Sequence, residues 1–311
     1  MKKKCIKTLC TGMVFVLFGL LALGSGSSDS QTNTKEITTE NANSLSQDEN
    51  NSTNAEETSV ATEESITIEE QVLIDENDIK ITATAMVSDS IWGDGIKLLI
   101  ENNSTKNIGV GCNALIVNDY MISDLFSSSI ASGKKANETI YISSNQLEAA
   151  GITNIGQVEI YFHFYDSDSY ETLFDSEKIL IKTSVYNDMD TTADVKGEEL
   201  YNQDGIRIIG QYVNENSFWG TAVLLYIENT SGRNVSISCD NMSINGFMVT
   251  PYFSSTIYDG KKAYDDITIL SSDLEENSIE SVEDIELNFH IYDADSYSTI
   301  CDTGAISFQT K

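Results

Sequence analysis

The chain carries one sequence pattern twice, and this internal repeat constrains its fold more strongly than any other feature. The register runs without a gap from Leu73 and Leu200 to Thr183 and Thr310, a constant separation of 127 positions, and roughly two in five paired residues are identical. The recurring segments include Trp92-Gly93 with Trp219-Gly220, Ile100-Glu101-Asn102 with Ile227-Glu228-Asn229, and Phe162-His163 with Phe289-His290. Chance does not produce such a match, so the sequence predicts two copies of one domain.

The repeat and the composition of the flanking residues predict five segments. Residues 67–184 and 198–311 are the two repeats, and residues 185–197 are the linker between them. Residues 1–25 form a signal peptide or anchor, and residues 26–66 form a disordered linker of Ser, Thr, Asn and Glu. Disorder is expected because this linker has no aromatic residue and cannot bury enough apolar surface to offset the entropy of ordering.

The N-terminus has the composition of a secretory leader. Lys2, Lys3, Lys4 and Lys7 precede an apolar run from Met13 to Leu23, which ends in small residues. An uncleaved signal anchor is the alternative, although the apolar stretch falls just short of the ~18 to 20 residues that span a bilayer. We therefore expect export. The protein would be extracellular or associated with the cell surface, and it would contact a membrane only through an uncleaved leader.

The end of the leader resembles a bacterial lipoprotein signal. In such signals a hydrophobic residue and two small residues precede a Cys that becomes lipidated, and Leu23, Gly24 and Ser25 match the first three positions. Gly26 stands where the Cys is required. The resemblance implies an exported relative of lipoproteins that is not itself lipidated at this site.

The charge balance excludes one class of function. Asp and Glu number 49 against 18 Lys and Arg, which gives a formal net charge of -31. Nucleic-acid binders need clustered cations to displace counterions from phosphates, so no nucleic-acid partner is expected. Because the chain has only 2 His and no dense Cys cluster, we expect no metal site and no cofactor either.

Each copy has the pattern of an all-β domain. Runs such as Ile79–Ala85 and Val158–Tyr165 are rich in β-branched and aromatic residues, and the first alternates at period two. Asn118-Asp119 and Asn245-Gly246 predict tight hairpins, because these residues tolerate positive φ. One short helix is predicted at residues 144–148 and at its counterpart. About seven short strands in about 110 residues predict an immunoglobulin-like β-sandwich in each copy, with a closed barrel as the alternative.

The repeat resembles the immunoglobulin-like repeats of uncharacterised bacterial surface lipoproteins. The elements that carry the resemblance are Ile100-Glu101-Asn102-Asn103-Ser104, Asn118-Asp119-Tyr120-Met121, Gly133-Lys134-Lys135-Ala136 and residues 162–168. The resemblance implies an extracytoplasmic β-sandwich of unassigned function, and it brings no catalytic residues with it.

Two equivalent strands place a His beside aromatic residues on one sheet face. Period-two alternation puts His163 and Tyr165 on the outer face of the first copy, and His290 and Tyr292 on that of the second. These residues are candidates for a small binding face, or for a pH-sensitive one because a nearby Glu favours the imidazolium. The alternative is a surface His that only stacks on its cross-strand neighbours.

Acidic residues follow both of these strands. Asp166 with Asp168, and Asp293 with Asp295, offer carboxylate oxygens of the kind that calcium prefers. The third acid, the Gly and the distal Glu of an EF-hand loop are absent, so a turn is the favoured interpretation. We keep the four residues as candidate binding residues and predict no metal site.

Trp92 and Trp219 each precede a Gly at a loop. They are either plugs at the edge of the core or exposed platforms for a carbohydrate, and typical Trp burial favours the plug. Both are kept as candidate binding residues, because exposure would reverse the preference.

Three cysteines lie beyond the leader. Cys112 and Cys239 occupy equivalent positions, and each is predicted to act as a small buried hydrophobe. Cys301 stands where the first copy has Phe174, and a disulfide between Cys239 and Cys301 is conceivable.

These features predict an exported, non-enzymatic cell-surface protein with two binding or adhesion modules. A catalytic nucleophile needs a base and an orienting group, but each copy has a single His, within a strand and without a nucleophile elbow nearby. The expected partner is an unidentified surface protein, peptide or glycan. The alternative is a structural or spacer protein of the cell envelope. Exposed aromatic residues around Trp92 and Trp219 would favour binding, and buried ones would favour the spacer.

Overall fold

The same succession of strands appears twice along the chain. The structure is a computed structural model, and it describes residues 65–309 except Ile91, Asp190, Asp194 and Phe218. The predicted leader at 1–25, and all but the last two residues of the predicted linker at 26–66, lie outside the described residues. The described part is all-β, as predicted, with two short α-helices.

The elements of the first repeat are β1 (Gln71–Glu76), β2 (Ile79–Asp89), β3 (Gly93–Asn102), β4 (Ile108–Val117), β5 (Tyr120–Ile122), β6 (Ser127–Ile130), β7 (Lys134–Tyr141), α1 (Ser144–Ala149), β8 (Gln157–Asp166), β9 (Thr172–Asp175) and β10 (Ile179–Lys182). A short 3-10 helix, Tyr186–Asp188, follows. Those of the second repeat are β11 (Glu198–Gln203), β12 (Ile206–Ser217), β13 (Gly220–Asn229), β14 (Val235–Ile244), β15 (Phe247–Met248), β16 (Ser254–Ile257), β17 (Lys261–Leu270), α2 (Ser271–Glu276), β18 (Asp284–Asp293), β19 (Thr299–Asp302) and β20 (Ile306–Gln309). Among these described elements, no helix is long and apolar enough to cross a membrane.

Each repeat has the strand order of an immunoglobulin-like sandwich. In the first repeat one layer has the order β1-β2-β3-β7 and the other has the order β10-β8-β4-β5. Strands β2, β3 and β7 take the places of strands A, B and E of that fold, and β4, β8 and β10 take those of C, F and G. The second repeat gives β11-β12-β13-β17 and β15-β14-β18-β19. The predicted sandwich is therefore present, rather than the closed barrel.

Alternation along the strands builds the core between the two layers of each repeat. In β8 the side chains of Ile160, Phe162 and Phe164 are fully buried, whereas Tyr161 and His163 on the opposite face are partly exposed. Burial of an aromatic or branched aliphatic side chain stabilises the fold by about 1.5 to 3 kcal/mol. The outer face of this strand is therefore the face on which a functional surface can be built.

Asparagines that recur in both repeats hold loops against the sheets. Asn102 is fully buried, and its side-chain amide donates to the carbonyl of Lys106 in the following loop at 2.8 Å and to that of Ile130 at the end of β6 at 2.9 Å. Asn229 makes the equivalent pair of bonds in the second repeat. These bonds satisfy polar groups that would otherwise be buried without partners. The predicted hairpins are confirmed as well, since Asn118 and Asn245 have positive φ values of 48° and 50°.

The two repeats share one sheet. Strand β17 of the second repeat pairs in parallel with β5 of the first, with Lys262 opposite Tyr120 and Ala263 opposite Met121. The Lys262 amide donates to the Asp119 carbonyl at 3.0 Å. This pairing joins β10-β8-β4-β5 to β17-β13-β12-β11 in a 10-stranded sheet that also includes β6 and β9. The repeat pattern alone does not predict this contact.

A buried ion pair links the two repeats beside the paired strands β5 and β17. Lys261 Nζ lies 2.6 Å from Glu159 Oε1 and 2.7 Å from Asp119 Oδ1. Glu159 is only 3% exposed. Desolvation lowers the pKa of Lys261, but its two carboxylate partners outweigh that effect and hold the pKa above its usual value. Loss of the lysine would leave Glu159 buried without its closest counter-charge.

Aromatic side chains complete the contact between the repeats. Tyr120, almost fully buried, stacks on Tyr264 with ring centroids 5.9 Å apart, and Tyr264 contacts Tyr226 at 5.3 Å. Tyr161 meets Tyr258 edge-on at 4.8 Å. Tyr226 and Tyr264 belong to the second repeat but pack into the hydrophobic core of the first. The repeats are therefore joined by core packing as well as by strand pairing.

The cysteines in the described residues are free thiols, so the structure has no disulfide between Cys239 and Cys301. Cys239 is buried, as predicted, whereas its counterpart Cys112 is only partly buried. Burial raises the pKa of the Cys239 thiol to about 12, and the neighbouring Asp240 carboxylate adds to the rise. Burial likewise raises the pKa of the Cys112 thiol, with a contribution from Asp124.

Alkylation of the folded protein tests these thiol environments. At about pH 8 we expect iodoacetamide to leave Cys112 and Cys239 largely unmodified, because the thiolate is the reactive form and its population is small. The same reagent in denaturing urea should modify both residues, which is the control. Peptide mass mapping measures the modification, and rapid alkylation of Cys239 in the folded chain would contradict its buried position.

The substitution Lys261→Met tests the ion pair between the repeats. Methionine replaces the apolar part of the lysine side chain but removes the charge, which leaves Glu159 buried without its closest cation. We therefore expect the free energy of unfolding to fall by about 3 kcal/mol. Lys134 begins the equivalent strand of the first repeat and is exposed, so Lys134→Met is the matched control, with an expected change below about 0.5 kcal/mol. Urea unfolding followed by circular dichroism measures both. Equal losses in the two variants would refute the role assigned to Lys261.

Candidate binding surfaces

An aromatic stack lies on the outer face of the first repeat, where β8 ends. The His163 and Tyr165 rings stack with centroids 5.7 Å apart, and Tyr165 stacks on Tyr170 at 6.1 Å. On the adjacent strand β9, Asp175 Oδ1 lies 2.6 Å from His163 Nδ1. We call these four residues the first His–Tyr–Tyr stack.

The second repeat builds the same arrangement from equivalent residues. His290 stacks on Tyr292 at 5.3 Å and Tyr292 on Tyr297 at 6.4 Å, while Asp302 Oδ1 hydrogen-bonds His290 Nδ1. We call this the second His–Tyr–Tyr stack. The structure thus brings the predicted His and Tyr of each copy together, and it adds an Asp and an outer Tyr that strand alternation did not select. The same Asp and Tyr recur 127 positions apart in the two repeats, and this recurrence was the signal that could have identified them.

The backbone presents the outer tyrosine of each stack in an unusual conformation. Tyr170 and Tyr297 have φ values of 61° and 57°, in the left-handed region that bulky residues rarely adopt. They are 79% and 80% exposed. The backbone amides of Tyr170 and Tyr297 donate to the Asp166 and Asp293 carbonyls at 2.7 and 2.8 Å, so the turns that end β8 and β18 place both exposed rings.

A glycine makes room for the first stack. Gly109 lies opposite Tyr165 in the pairing of β4 with β8, and a Cβ added at Gly109 would lie 2.0 Å from the Tyr165 ring. The second repeat has Ser236 at this position, and its hydroxyl is hydrogen-bonded to that of Thr256 at 2.7 Å. The two stacks therefore rest on different surfaces.

Two of the predicted aspartates form the turns that end β8 and β18. The Asp166 carboxylate accepts hydrogen bonds from the backbone amides of Asp168 and Ser169 at 3.0 and 3.3 Å, and it pairs with Lys106 at 3.0 Å. These interactions, that with Lys106 foremost, hold the pKa of Asp166 below its usual range. Asp293 makes the equivalent turn bonds, and its backbone amide donors lower its pKa as well. The turn interpretation is therefore confirmed.

The other two predicted aspartates, Asp168 and Asp295, lie within these turns and are exposed. Asp168 accepts a hydrogen bond from the side-chain amide of Asn107 at 3.2 Å. In the part of the chain that the structure describes, no group of three or more His, Cys, Asp or Glu residues could hold a metal ion. The two residues therefore contribute exposed charge beside the stacks.

Trp92 borders a cleft on the first repeat. It is 64% exposed, so the interpretation as a plug of the core edge is wrong for this residue. Its ring lies 6.1 Å from that of Tyr141, and Leu125 beside them is fully exposed. The cleft has a volume of about 410 Å³, and its other lining residues are Ser123, Phe126, Thr139, Ile142 and Ser143. We call it the Trp92 cleft.

Trp219, the counterpart of Trp92, is 66% exposed, so the plug interpretation is wrong here too. Tyr252 replaces Leu125 and is 53% exposed, and its backbone pairs with that of Thr268. Thr268 occupies the position of Tyr141. The second repeat thus presents exposed aromatic residues, but a threonine stands where an aromatic ring faces Trp92 in the first.

The sequence alone does not predict Leu125 and Tyr141 as neighbours of Trp92. The pairing of β3 with β7, with Gly95 opposite Tyr141, brings that tyrosine beside the loop that carries the tryptophan. No local pattern links these segments, because they meet only through the sheet. The cleft is a product of tertiary structure.

A larger and more polar cavity of about 780 Å³ lies in the second repeat, beside β11 and β12. Its lining includes Glu198, Tyr212 and Phe308. Glu215 at its border accepts a hydrogen bond from the Val282 amide at 2.7 Å. The lining includes none of the predicted site residues, so we assign it no function.

Comparison with known proteins yields structural likeness alone. No protein-family model matches the chain, and no curated protein sequence is similar to it. The chain is similar to the Salmonella enterica SafA pilin in complex with the SafB chaperone at 10% identity and a TM-score of 0.22, over 74% of this chain and 95% of that one. It is also similar to a protein of unknown function from Porphyromonas gingivalis W83 at 8% identity and a TM-score of 0.19, over 79% and 97% of the two chains. Function must therefore be argued from the surfaces themselves.

The substitution Gly109→Ala tests the geometry of the first stack. Because the new methyl group would overlap the Tyr165 ring where it now lies, we expect the ring to move, with a change in the chemical shifts of the His163 ring protons. The stack itself should survive, because the second repeat forms it with Ser236 at this position. Gly304→Ala is the control, since a Cβ at Gly304, in the second repeat, would have no atom within 4 Å. Two-dimensional NMR measures the shifts. An unchanged His163 signal in Gly109→Ala would refute the close contact of the Tyr165 ring with Gly109.

Proposed function

We propose that this chain is an exported, non-enzymatic binding protein whose Trp92 cleft takes an apolar segment of a peptide or surface protein. The observation that carries the proposal is the exposure of Trp92 and Leu125 at the mouth of a concave, largely apolar site. Exposed aromatic anchors of this kind dominate the energetics of protein recognition. Exposure of an apolar site to water is unfavourable, and a partner that covers the site removes this cost.

The lining of the cleft defines the ligand chemistry. Phe126, Ile142 and the Trp92 ring offer an apolar surface for one aliphatic or aromatic side chain. Ser123 and Ser143 also line the cleft, and their hydroxyl groups are polar groups that a peptide backbone can hydrogen-bond. The Ser123 hydroxyl accepts a bond from the Gln146 side chain at 3.1 Å and keeps its own proton to donate. A sugar ring stacked on Trp92 is the second ligand class that this chemistry admits.

The His–Tyr–Tyr stacks add a duplicated surface to the same protein. Each offers an imidazole, a carboxylate and an exposed phenol ring, so a ligand with two similar groups could engage both repeats with a gain from avidity. In the described residues, neither His ring hydrogen-bonds a hydroxyl or thiol group, so each pair lacks the nucleophile that acyl transfer requires. This supports binding rather than catalysis.

Export is the part of the proposal that rests on the sequence. The Lys-rich start and the apolar run from Met13 to Leu23 are typical of a leader, and the polar residues 26–66 are suited to a tether. At roughly 5 to 6 Å times the square root of its length, such a tether has a mean reach of ~35 Å. It would hold the two repeats away from an envelope surface.

Substitution of Trp92 tests the binding site. Peptides selected from a random library, and glycans on an array, are bound to the full chain and then to Trp92→Ala. Because a buried aromatic anchor contributes about 2 kcal/mol or more, we expect the affinity of the selected ligand to fall about 30-fold. Titration calorimetry measures the affinity.

Trp219→Ala and Tyr212→Ala are the matched controls for this experiment, since both remove exposed aromatic rings outside the cleft. They should leave the affinity within about twofold of the parent. The proposal fails if no peptide or glycan depends on Trp92. It also fails if all three substitutions weaken binding equally.

One observation favours the alternative function of an envelope spacer. The β5–β17 pairing and the Lys261 ion pair make the two repeats a single packed unit rather than two modules on a free linker. A spacer requires such stiffness, whereas binding through the Trp92 cleft does not. Fluorescence energy transfer between dyes on the two repeats would support it if Lys261→Met broadened the distance distribution without changing ligand affinity.

A further inference from the structure

The first repeat binds the second through one surface, and the equivalent surface of the second repeat is exposed. In the first repeat, Tyr120 and Glu159 are 1% and 3% exposed because β17 and Lys261 cover them. Their counterparts in the second repeat are Phe247, which is 49% exposed, and Glu286, which is also exposed. Met248 beside them is 63% exposed. One surface of the fold is thus occupied in one copy and open in the other.

Strand β15, which carries Phe247 and Met248, is the last strand of its sheet. Its described pairing is with β14 alone, on one side. Natural proteins protect such edges with charges, prolines or covering loops, because an unpaired edge recruits other strands. Phe247 and Met248 are instead exposed and apolar, so they favour the pairing of this edge with another strand.

The first repeat offers the matching surface. Strand β7 is the counterpart of β17, and it is the last strand of its own sheet. Lys134 and Ala136 stand at the positions of Lys261 and Ala263, and Lys134 is exposed. The molecule therefore has a second example of each of the two surfaces that meet between its repeats. These two surfaces lie at separate places and are not paired with each other.

We propose that β15 of one molecule pairs in parallel with β7 of a second copy, head to tail, in the register of β5 with β17. Lys135 then lies opposite Phe247 and Ala136 opposite Met248, as Lys262 lies opposite Tyr120 and Ala263 opposite Met121. Lys134 of one copy approaches Glu286 of the other, as Lys261 approaches Glu159. Because the two surfaces differ, the contact is heterologous, and each added copy leaves one of each surface open for the next.

The contact between molecules is weaker than the contact within one. Asn137 replaces Tyr264, so the stack on Tyr120 has no equivalent, and Gly246 replaces Asp119, so the lysine has one carboxylate partner instead of two. The repeats of one chain also meet at the effective concentration set by their linker, which is in the mM range for short linkers. Association between molecules is therefore reversible, and it strengthens where the chain is concentrated.

Analytical ultracentrifugation of the full chain at increasing concentration tests the proposal. The expected result is a weight-average mass that rises with concentration without stopping at a dimer. Phe247→Asp with Met248→Asp should weaken the association by at least about tenfold. Tyr212→Asp, on an equally exposed aromatic residue elsewhere in the second repeat, should leave it unchanged. Urea unfolding of each variant establishes that the fold is retained.

A charge exchange makes the test specific for the partner surface. Lys134→Glu alone and Glu286→Lys alone should each weaken association, because each places like charges in contact. The chain that carries both substitutions restores an opposite-charge pair between neighbours and should associate within about threefold of the parent. A mass that is constant up to roughly 1 mM chain overturns the proposal. So does association that none of these substitutions alters, as would arise from the apolar leader.

Cysteine trapping checks the register. A chain with Met248→Cys is mixed with a chain with Ala136→Cys, whose Cα positions in the proposed pairing are within the 4.4 to 6.8 Å that a disulfide spans, roughly one strand spacing. The expected product is a disulfide-linked dimer under mild oxidation, with Tyr212→Cys in place of Met248→Cys as the control for the natural thiols. Equal yields from the two mixtures would overturn the register.

Discussion

The contact of β17 with β5 organises the rest of the molecule. Two residue pairs of parallel strand contribute little by themselves, but they bring Lys261 against Glu159 and Asp119 and place Tyr264 on Tyr120. Desolvation of a carboxylate such as Glu159 is costly, and only a well-placed cation offsets it. The lysine therefore fixes the partner and the register, while the aromatic rings supply the apolar burial.

This contact makes two similar sequences different in their surroundings. The second repeat covers the outer face of β8 at Glu159, which is buried, whereas Glu286 at the equivalent position of β18 is exposed. The difference arises from position in the chain and not from the fold of the repeat. Among the described residues, none covers Phe247, Met248 and Glu286 of the second repeat as Lys261 covers Glu159 of the first, and the proposed assembly depends on that exposed surface.

Two groups of exposed aromatic residues, the His–Tyr–Tyr stacks and the Trp92 cleft, differ in how the fold forms them. The His–Tyr–Tyr stacks are duplicated and are held by local strand geometry, with Tyr170 and Tyr297 in the same left-handed conformation. The Trp92 cleft belongs to the first repeat, because Tyr141 faces the tryptophan there and Thr268 holds that position in the second. A duplicated surface suits avidity, and a single cleft suits one specific ligand, so the two groups support different parts of the proposed binding function.

The amino-acid sequence alone predicts the two sandwiches and the outer faces of β8 and β18. It predicts about seven strands in each repeat, whereas the structure has ten among the described residues of each. These features follow from the repeat spacing, from period-two alternation, and from Asn residues that accept positive φ at the hairpins, all of which are local or internally duplicated signals. The shared sheet, the burial of Glu159, the exposure of Trp92 and the cleft beside Tyr141 arise only once the chain has folded. Each of these features depends on segments that are distant in the chain and come into contact through the sheets. The free energy of such contacts comes from desolvation and side-chain packing, which a local sequence pattern does not reveal.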